Sequence, residues 1–476
     1  MSNQSIRVRF APSPTGSMHL GNVQSALLNY LFALQKKGTF ILRIEDTDQQ
    51  RNVDPQAAGI LNDLAWLNVS YNEGPVHGGP YGPYFQSQRS AIYMQALTTL
   101  QGKDLIYPCF CSSEELEKKR QRQLALKQPP RYDRACLLFS SAQVQENFKQ
   151  EIPFIWRFKL DHEKKVSFYD LAHKTMHFEL KHFSDVPLTR QDGSFTFLFA
   201  NFVDDVAMKI THVFRGEDHL TNTASQIALY EAFQEPVPVF WHLPILANLQ
   251  GKKLSKRDFG FSLKDLKDDG FLPEAILNYL GIIGRSVANE LLSIQELIDS
   301  YPFDHVSSTG QIKYDVEKLR WINHHWIMKY DLDTLTELCR PFIIEAHPLL
   351  GQLSHDELKK LIAPLKEELV TLKQSAVALA FIVQQPTPDK NLLEKYHLST
   401  YKVLLKPALN NVESQTAQQI VDELKALSKE HSLSNKDIFC LIRIALTGKD
   451  QGPSVLDLLA MLPPKEVAVR LKALTT

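Results

Sequence analysis

Cysteine and long apolar runs are both scarce in this chain. Its 476 residues include only five cysteines, an odd and small number that argues against a disulfide framework and favours a reducing compartment. The most apolar late run, AVALAFIV at 376–383, is far shorter than the roughly 20 residues of a membrane-spanning helix. The first residues, MSNQSIRVRF, contain no apolar signal core. We therefore expect a cytoplasmic protein without a membrane partner.

An excess of charge of either sign is also missing. The chain carries 53 Lys and Arg against 54 Asp and Glu, which gives a net charge of -1. A polyanionic partner must therefore be held by local basic patches, because no global field attracts it, and DNA is not an expected partner. The composition, 44% hydrophobic and 22% charged, is typical of a globular protein, and the length allows two to four domains.

Neither of the usual glycine-rich nucleotide loops occurs. The absence of GxGxxG excludes a dinucleotide-binding dehydrogenase, and the absence of GxxxxGK excludes a P-loop enzyme. Instead, APSPTGSMHLGN (11–22) stands between a predicted strand at 6–12 and a predicted helix that Gly38 would end as its C′ residue. A second predicted strand, TFILRIED (39–46), completes a βαβ unit. This pattern predicts a parallel α/β sheet whose site lies at the carboxyl ends of the strands.

Two short segments indicate where an anionic ligand would bind. At the predicted start of the first helix, backbone N–H groups form an anion site, Gly21 allows close approach and His19 stands just before the first turn. The segment GKKLSKRD (251–258) places three lysines and an arginine after FWHLPILA (240–247), which predicts another central strand. Taken alone, this basic segment is more typical of a solvated turn.

The remaining chain divides by composition. About a hundred residues between the two parts of the sheet contain three of the cysteines and a basic helix around Lys118 to Arg122, which indicates an insertion. From about residue 325 onward, amphipathic 3.6-residue periodicity predicts an all-α region. We therefore predict an α/β fold with a Rossmann-like parallel sheet, an α+β insertion and an all-α C-terminal part.

Several segments in order resemble one family. HLGN (19–22) is similar to the HIGH signature of class I aminoacyl-tRNA synthetases, and KLSKR (253–257) is similar to their KMSKS loop. RFAPSPTGSMHLGN, FILRIEDTD, YPCFCSSEEL and THVFRGEDHLTNTASQIALYEAF closely resemble glutamyl-tRNA synthetases, and APSPTG favours them over glutaminyl-tRNA synthetases. The similarity runs from Arg7 to about residue 327 and returns weakly at 445–462.

The resemblance implies an organisation of the chain. The implied parts are a Rossmann catalytic domain at 1–108 and 191–260, an acceptor-end-binding insertion at 109–190, a stem-contact helical module at 261–327 and a helical anticodon-binding domain at 328–476. The basic helix of the insertion is equally typical of a solvated surface, and the weak similarity after 330 carries no base-contacting residues across.

The same resemblance implies an ATP-dependent ligase. It would activate L-glutamate with ATP and Mg²⁺ to glutamyl-adenylate and pyrophosphate, then transfer glutamate to the 3′-terminal adenosine of tRNA-Glu as a monomer. Cations that meet the triphosphate stabilise the charge that grows as pyrophosphate leaves. The implied catalytic residues are His19, Lys253 and Lys256. The implied ATP-binding residues are Gly16, His19, Gly21, Asn22, Lys253, Ser255 and Lys256.

For the amino acid, the family pattern implies a cationic clamp opposite an acceptor. Arg9 and Arg215 would bind the γ-carboxylate, because the arginine fork binds carboxylates bidentately. Glu45 would accept the α-ammonium group. The remaining residues of this implied glutamate site are Ala11, Ser13, Phe197 and Asn201. The family usually has a tyrosine where Phe197 stands, so we expect weaker glutamate binding or a rearranged pocket.

The resemblance also implies a zinc site in the insertion. Cys109 and Cys111 form a CxC pair, Cys136 follows, and the usual fourth ligand position holds Leu138, which cannot bind a metal. Tyr132 is the candidate oxygen ligand in its place, so the pattern leaves open a zinc ion or free thiols. Cys339 and Cys440 lie in helical sequence and are expected in the core.

Three alternatives remain at this stage. The substrate could be tRNA-Gln as well as, or instead of, tRNA-Glu. A truncated relative glutamylates a modified anticodon base, but it lacks the C-terminal helical half and an intact lysine loop. A non-catalytic tRNA-binding homologue would lose the signature residues, whereas His19, Lys253 and Lys256 are all present.

Overall fold

The computed structural model describes residues 5–48, 52, 54, 56–255, 257–306, 310–409, 411–472 and 474–475. The chain forms two compact units. The first comprises Met1–Lys264 and Leu277–Asp315, and the second comprises Asp265–Ile276 and Val316–Thr476. Among the described residues, no helix combines the length and the apolar character needed to cross a bilayer.

Strands are confined to the first unit, within the described part of the chain. They are β1 (Arg7–Phe10), β2 (Thr39–Leu42), β3 (Ile106–Cys109), β4 (Ile155–Phe158), β5 (Lys165–Asp170), β6 (Lys174–Glu179), β7 (His212–Gly216), β8 (Val239–Leu243), β9 (Ile245–Ala247) and β10 (Gln311–Lys313).

The α-helices occur in both units. They are α1 (Leu20–Gln35), α2 (Ala58–Trp66), α3 (Ser90–Gly102), α4 (Ser113–Ala125), α5 (Ser141–Lys149), α6 (Phe197–Ala207), α7 (Leu220–Phe233), α8 (Leu263–Asp268), α9 (Pro273–Ile282), α10 (Ile294–Ser300), α11 (Val316–Lys329), α12 (Leu332–Ala346), α13 (His355–Ile362), α14 (Lys373–Val383), α15 (Lys390–Lys395), α16 (Leu398–Ala408), α17 (Ala417–Glu430), α18 (Asn435–Thr447), α19 (Val455–Met461) and α20 (Pro464–Lys472).

The predicted parallel sheet is present. Strands β1 and β2 pair in parallel, as do β7 and β8, and β1 lies alongside β7, where the Thr211 N–H donates to the Arg7 carbonyl at 2.9 Å. Strand β5 joins β8 in parallel, and β6 pairs antiparallel with β5 at the edge. The apolar run 240–247 was predicted as one strand, but it is divided at Pro244, which has no N–H to donate, and its second part (β9) pairs with β10.

Helix α1 follows β1 as predicted, but it ends differently. Leu27, Leu28 and Leu31 are buried on its core face. The prediction that Gly38 is the C′ residue is wrong: the helix ends at Gln35, and Lys37 takes the left-handed conformation with a φ of 52°. Glycine is needed at position 38 for a different reason, because a Cβ there would lie 2.6 Å from the Ile6 carbonyl oxygen.

Residues 106–190 begin with β3, which pairs antiparallel with β4. Helices α4 and α5 lie between these two strands, and β5 and β6 follow as an antiparallel hairpin. Strands β5 and β6 also lie between 109 and 190, yet β5 pairs with β8 of the main sheet. Residues 165–179, which the sequence places in the insertion at 109–190, are thus integrated into the main sheet. The limits of the predicted insertion stay a prediction.

The second unit is helical throughout its described residues, as the periodicity predicts. Its larger apolar cluster is formed by side chains of α14 to α20 and includes the fully buried Leu405, Leu424, Leu441 and Leu458. Both helical cysteines are buried, Cys339 in α12 and Cys440 in α18, which confirms their place in the core.

Candidate active site

A cleft of about 790 Å³ in the first unit opens at the carboxyl ends of β1, β7 and β8. Twelve of the residues predicted from the sequence line it. They are Arg9, Ala11, Ser13, Gly16, His19, Gly21, Asn22, Glu45, Phe197, Asn201, Arg215 and Lys253. Ser255 is not among the lining residues, and Lys256 lies outside the described residues.

His19 is the N-cap of α1 and is held in one orientation. Its Nδ1 accepts the Asn22 N–H at 3.2 Å, while the Asn22 side chain accepts the His19 N–H at 3.3 Å. Desolvation by the cleft walls and the nearby Lys253 lower the pKa of the imidazole, so the ring is neutral at neutral pH. A neutral ring that accepts at Nδ1 carries its proton on Nε2, which makes Nε2 a donor.

The position of this ring also explains Gly21. The His19 imidazole stacks on Phe261 with the ring centroids 5.3 Å apart. A Cβ at position 21 would lie 3.1 Å from both Cε1 and Nδ1 of the imidazole. Any side chain at this position therefore presses on His19, and the ring would have to shift by a few tenths of an ångström.

The basic loop is anchored by acidic residues that the sequence reasoning missed. Lys253 Nζ lies 3.1 Å from the Asp218 Oδ2 at the mouth of the cleft. Ser255 donates to Asp258 Oδ2 through both its N–H and its hydroxyl, each at 2.9 Å, so the described contacts of Ser255 stabilise the turn. An acid three residues after the serine, as in SKRD, is the signal that would have indicated this turn.

Beneath the cleft lies a buried network of two arginines and two carboxylates. Arg9 donates to Asp205 at 3.1 and 3.3 Å, and Arg43 donates to the same carboxylate at 2.7 Å. Arg43 also donates to Glu45 Oε1 at 3.1 Å, and Asn201 donates to that oxygen at 2.6 Å. One fork of Arg9 is thus occupied by Asp205, and Glu45 is fixed at the cleft wall.

Burial and charge act in opposite directions in this network. Burial raises the pKa of Glu45 above its ordinary value despite the neighbouring Arg43. For Asp205, burial also acts to raise the pKa, but Arg9 and Arg43 outweigh it and hold the pKa below its ordinary value. Arg43 and Asp205 were not predicted, although charged residues inside the apolar segments FILRIED and NFVDD are a signal for buried ion pairs.

Arg215 differs from Arg9 because most of its donors are unused. Its Nη2 donates to the Thr223 hydroxyl at 2.6 Å, whereas Nε and Nη1 are buried and have no hydrogen-bond partner among the described residues. Desolvation and the proximity of Arg9 lower its pKa to about 10, so it stays cationic at neutral pH. Buried, unpaired donors of a cation are costly, and an anionic ligand would satisfy them.

Phe197 begins α6 and forms an apolar part of the wall. Its ring centroid lies 5.4 Å from that of His219, whose pKa is lowered to about 4 by burial and by Arg215. The phenylalanine brings no hydroxyl to the cleft, so this part of the wall offers an incoming polar group no hydrogen bond from residue 197.

The predicted zinc ligands also come together, in a separate place in the first unit. The Sγ atoms of Cys109, Cys111 and Cys136 lie within 4.8 Å of one another, with Cys111 and Cys136 3.6 Å apart. The Tyr132 hydroxyl is 3.2 Å from Cys109 Sγ and 3.9 Å from Cys111 Sγ. Leu138 is 83% exposed and takes no part in this cluster.

Comparison with known proteins defines the class. The family model "tRNA synthetases class I (E and Q), catalytic domain" matches residues 5–321, and the model "Anticodon binding domain" matches residues 334–475. The first match spans more than half of the chain, so the chain belongs to the class I tRNA synthetases of the E and Q type. The resemblance seen in the sequence and the predicted fold class are thereby confirmed.

Within that class the similarity is to glutamate–tRNA ligases. The enzyme of Clostridioides difficile (strain 630) is 37% identical over 468 residues, which cover 94% of this chain and 95% of that protein. The enzyme of Bacillus subtilis (strain 168) is 36% identical over 486 residues, covering 99% and 100% of the two chains. Because the similarity includes the C-terminal half, the truncated anticodon-modifying alternative is not favoured.

Two solved structures are similar over nearly the whole chain. A glutamate tRNA ligase from Elizabethkingia meningosepticum CCUG26117, in complex with its amino acid, superposes with a TM-score of 0.84 at 30% identity and covers 99% of both chains. The glutamate-tRNA synthetase from Elizabethkingia anophelis gives a TM-score of 0.86 at 30% identity, covering 99% of this chain and 100% of that one.

Proposed function

We propose that this chain is a cytoplasmic glutamate–tRNA ligase. It activates L-glutamate with ATP, which enters as its Mg²⁺ complex, to glutamyl-adenylate and pyrophosphate. It then transfers glutamate to the 3′-terminal adenosine of tRNA-Glu. The observation that carries the proposal is the buried guanidinium of Arg215, whose Nε and Nη1 have no partner among the described residues, in the same cleft as Glu45, His19 and Lys253.

The cleft separates the two charged ends of glutamate. The Arg215 guanidinium, whose Nε and Nη1 have no partner among the described residues, binds the γ-carboxylate, and Arg9 adds a second positive charge beside it. Glu45, held by Arg43 and Asn201, accepts the α-ammonium group. Glutamine has no γ-carboxylate and would leave the Arg215 charge uncompensated, so the site selects the acid.

The triphosphate lies between the start of α1 and the basic loop. His19 donates from Nε2 to a phosphate oxygen, and Gly16, Gly21 and Asn22 line the approach. Lys253, released from Asp218, and Lys256 meet the charge that develops as pyrophosphate leaves. No proton transfer is required of these residues, because the reaction depends on positioning and on stabilising charge.

The insertion and the C-terminal helices supply the tRNA contacts in this proposal. The insertion at 109–190 binds the acceptor end, the module at 261–327 contacts the stem, and the helices at 328–476 bind the anticodon. The protein acts as a monomer.

We further propose that Cys109, Cys111, Cys136 and Tyr132 bind one zinc ion. Four ligands at tetrahedral zinc–sulfur distances of about 2.3 Å are separated by roughly 3.8 Å, close to the observed 3.6 Å between Cys111 and Cys136. The ion would cross-link two segments of the insertion, the end of β3 with the residues after it and the segment between α4 and α5, and takes no part in the reaction. Metal analysis of purified protein tests this: one zinc per chain, lost in Cys136→Ser, supports the site, and no bound metal would refute it.

Glutamylation assays test the function itself. Purified protein is given ATP, Mg²⁺, labelled glutamate and either tRNA-Glu or tRNA-Gln transcript, with Lys256→Ala as the control variant. Charging of tRNA-Glu supports the proposal, and charging of tRNA-Gln alone would show a misacylating enzyme whose product needs an amidotransferase. If neither tRNA is charged above the Lys256→Ala level, the ligase proposal fails.

A further inference from the structure

A second buried hydrogen-bond chain ends at Arg215 and has no role in the mechanism above. It links the end of β5, the middle of β8 and the first turn of α7. The Asp170 carboxylate, the His242 imidazole, the Thr223 hydroxyl and the Arg215 guanidinium are connected in that order by distances of 2.7, 2.8 and 2.6 Å. All four side chains are buried, with at most 7% of any residue exposed.

The protonation states of the groups assign a direction to each bond of this hydrogen-bond chain. Burial acts to raise the pKa of Asp170, but the hydrogen bonds from His242 and from backbone N–H groups outweigh it and hold the carboxyl ionised. An ionised carboxylate only accepts, so His242 donates from Nδ1. Burial lowers the pKa of His242, so the ring is neutral and Nε2 is an acceptor.

Thr223 then has one proton and two neighbours that accept it. His242 Nε2 lies 2.8 Å from Oγ1, and the His219 carbonyl lies 3.2 Å away. Among the described residues, Thr223 Oγ1 is the one hydrogen-bond partner of His242 Nε2, and this is the closer of the two contacts, so we assign the hydroxyl proton to His242. The oxygen of Thr223 therefore presents a lone pair to Arg215, which can only donate.

We propose that Asp170, His242 and Thr223 are positioning residues for Arg215, the residue that binds the γ-carboxylate of glutamate. The Asp170 carboxylate accepts from His242, and His242 accepts from the Thr223 hydroxyl. The Thr223 oxygen is thereby oriented to accept from Nη2 of Arg215. A direct carboxylate partner would have occupied the guanidinium fork, as Asp205 does for Arg9. A neutral hydroxyl holds Arg215 by one nitrogen and leaves Nε and Nη1 for the substrate. This inference rests on the proposed function of Arg215.

The matched variants Thr223→Val and Thr223→Ser test the role of this hydrogen-bond chain. Valine has the shape of threonine without the hydroxyl, whereas serine keeps the hydroxyl. We expect Thr223→Val to raise the KM for glutamate and the calorimetric Kd for glutamate by about tenfold or more, since a hydrogen bond to a charged group is lost. The KM for ATP should change by less than about twofold. Thr223→Ser should stay close to the wild-type values.

The outcomes separate this inference from the function on which it rests. If the wild-type protein does not bind glutamate, the proposed function is wrong. If the wild type binds glutamate, and Thr223→Val binds glutamate with the same Kd as Thr223→Ser, the positioning role is wrong. If Thr223→Val does not fold, His242→Asn is measured instead, because its amide reaches Asp170 and cannot reach Thr223. An unchanged glutamate Kd in that variant would equally overturn the inference.

Discussion

Removal of Arg43 should strongly destabilise the first unit. It is fully buried and donates to Asp205 at 2.7 Å and to Glu45 at 3.1 Å, and its Nε lies 3.8 Å from Asp204. In Arg43→Met a chain of similar length fills the space, but the buried carboxylates lose their shared cation. Removing one partner of a buried ion pair costs about 3–5 kcal/mol. We expect a decrease of that size in the free energy of unfolding of the first unit.

Hydrogen exchange of β2 and α6 peptides over a urea series measures this decrease locally, so that unfolding of the second unit does not enter. The matched control is Arg120→Met, which removes an exposed i,i+3 pair with Glu117 at 2.8 Å and should leave the transition in place. A free energy of unfolding for Arg43→Met within about 1 kcal/mol of wild type would refute the reasoning, because it would mean that the carboxylates protonate or reach solvent at little cost.

Three other expectations follow from single residues. Gly21→Ala should lower kcat of glutamylation by about tenfold or more with a smaller effect on the KM for glutamate, because the added Cβ displaces the His19 ring; an unchanged kcat would contradict this. Phe197→Tyr should lower the KM for glutamate by about tenfold, since a hydrogen bond to a charged group contributes roughly 1.5–3 kcal/mol; an unchanged KM would count against a missing hydroxyl as the cause of weak binding. His355 is flanked by Asp333 and Glu337, whose hydrogen bonds raise its pKa. The stability that it contributes is complete below pH 6.5 and is lost as the pH rises through the raised pKa, so melting temperatures should fall more between pH 6 and 8 in wild type than in His355→Gln, and equal falls would refute this.

The sequence was sufficient for the parts of the site that are local in the chain. The first strand, the place of His19 just before the first helix and the basic segment 251–258 are each set by neighbouring residues, and the structure brings His19 and Lys253 to one cleft. The amphipathic pattern of the C-terminal half predicted its helices for the same reason.

The buried charges could not be predicted, because they pair over long separations. Arg43 and Asp205 are 162 residues apart, and Asp170 and His242 are 72 apart, so neither pairing has a periodic signal. A lone arginine in FILRIED indicates only that some partner exists. The misassigned end of α1 has a similar cause: Gly38 is constrained by contact with Ile6, which directly precedes β1, rather than by its own backbone conformation.

In the proposed function, Arg215 binds the γ-carboxylate of glutamate. The most direct test is the affinity of L-glutamate for wild type and Arg215→Met, measured by calorimetry, with ATP affinity as the internal control. Truncating one partner of a buried charge pair costs 2–5 kcal/mol or more, which predicts at least about a thirtyfold weaker glutamate Kd and an unchanged Kd for ATP. A glutamate Kd within about threefold of wild type would contradict the account.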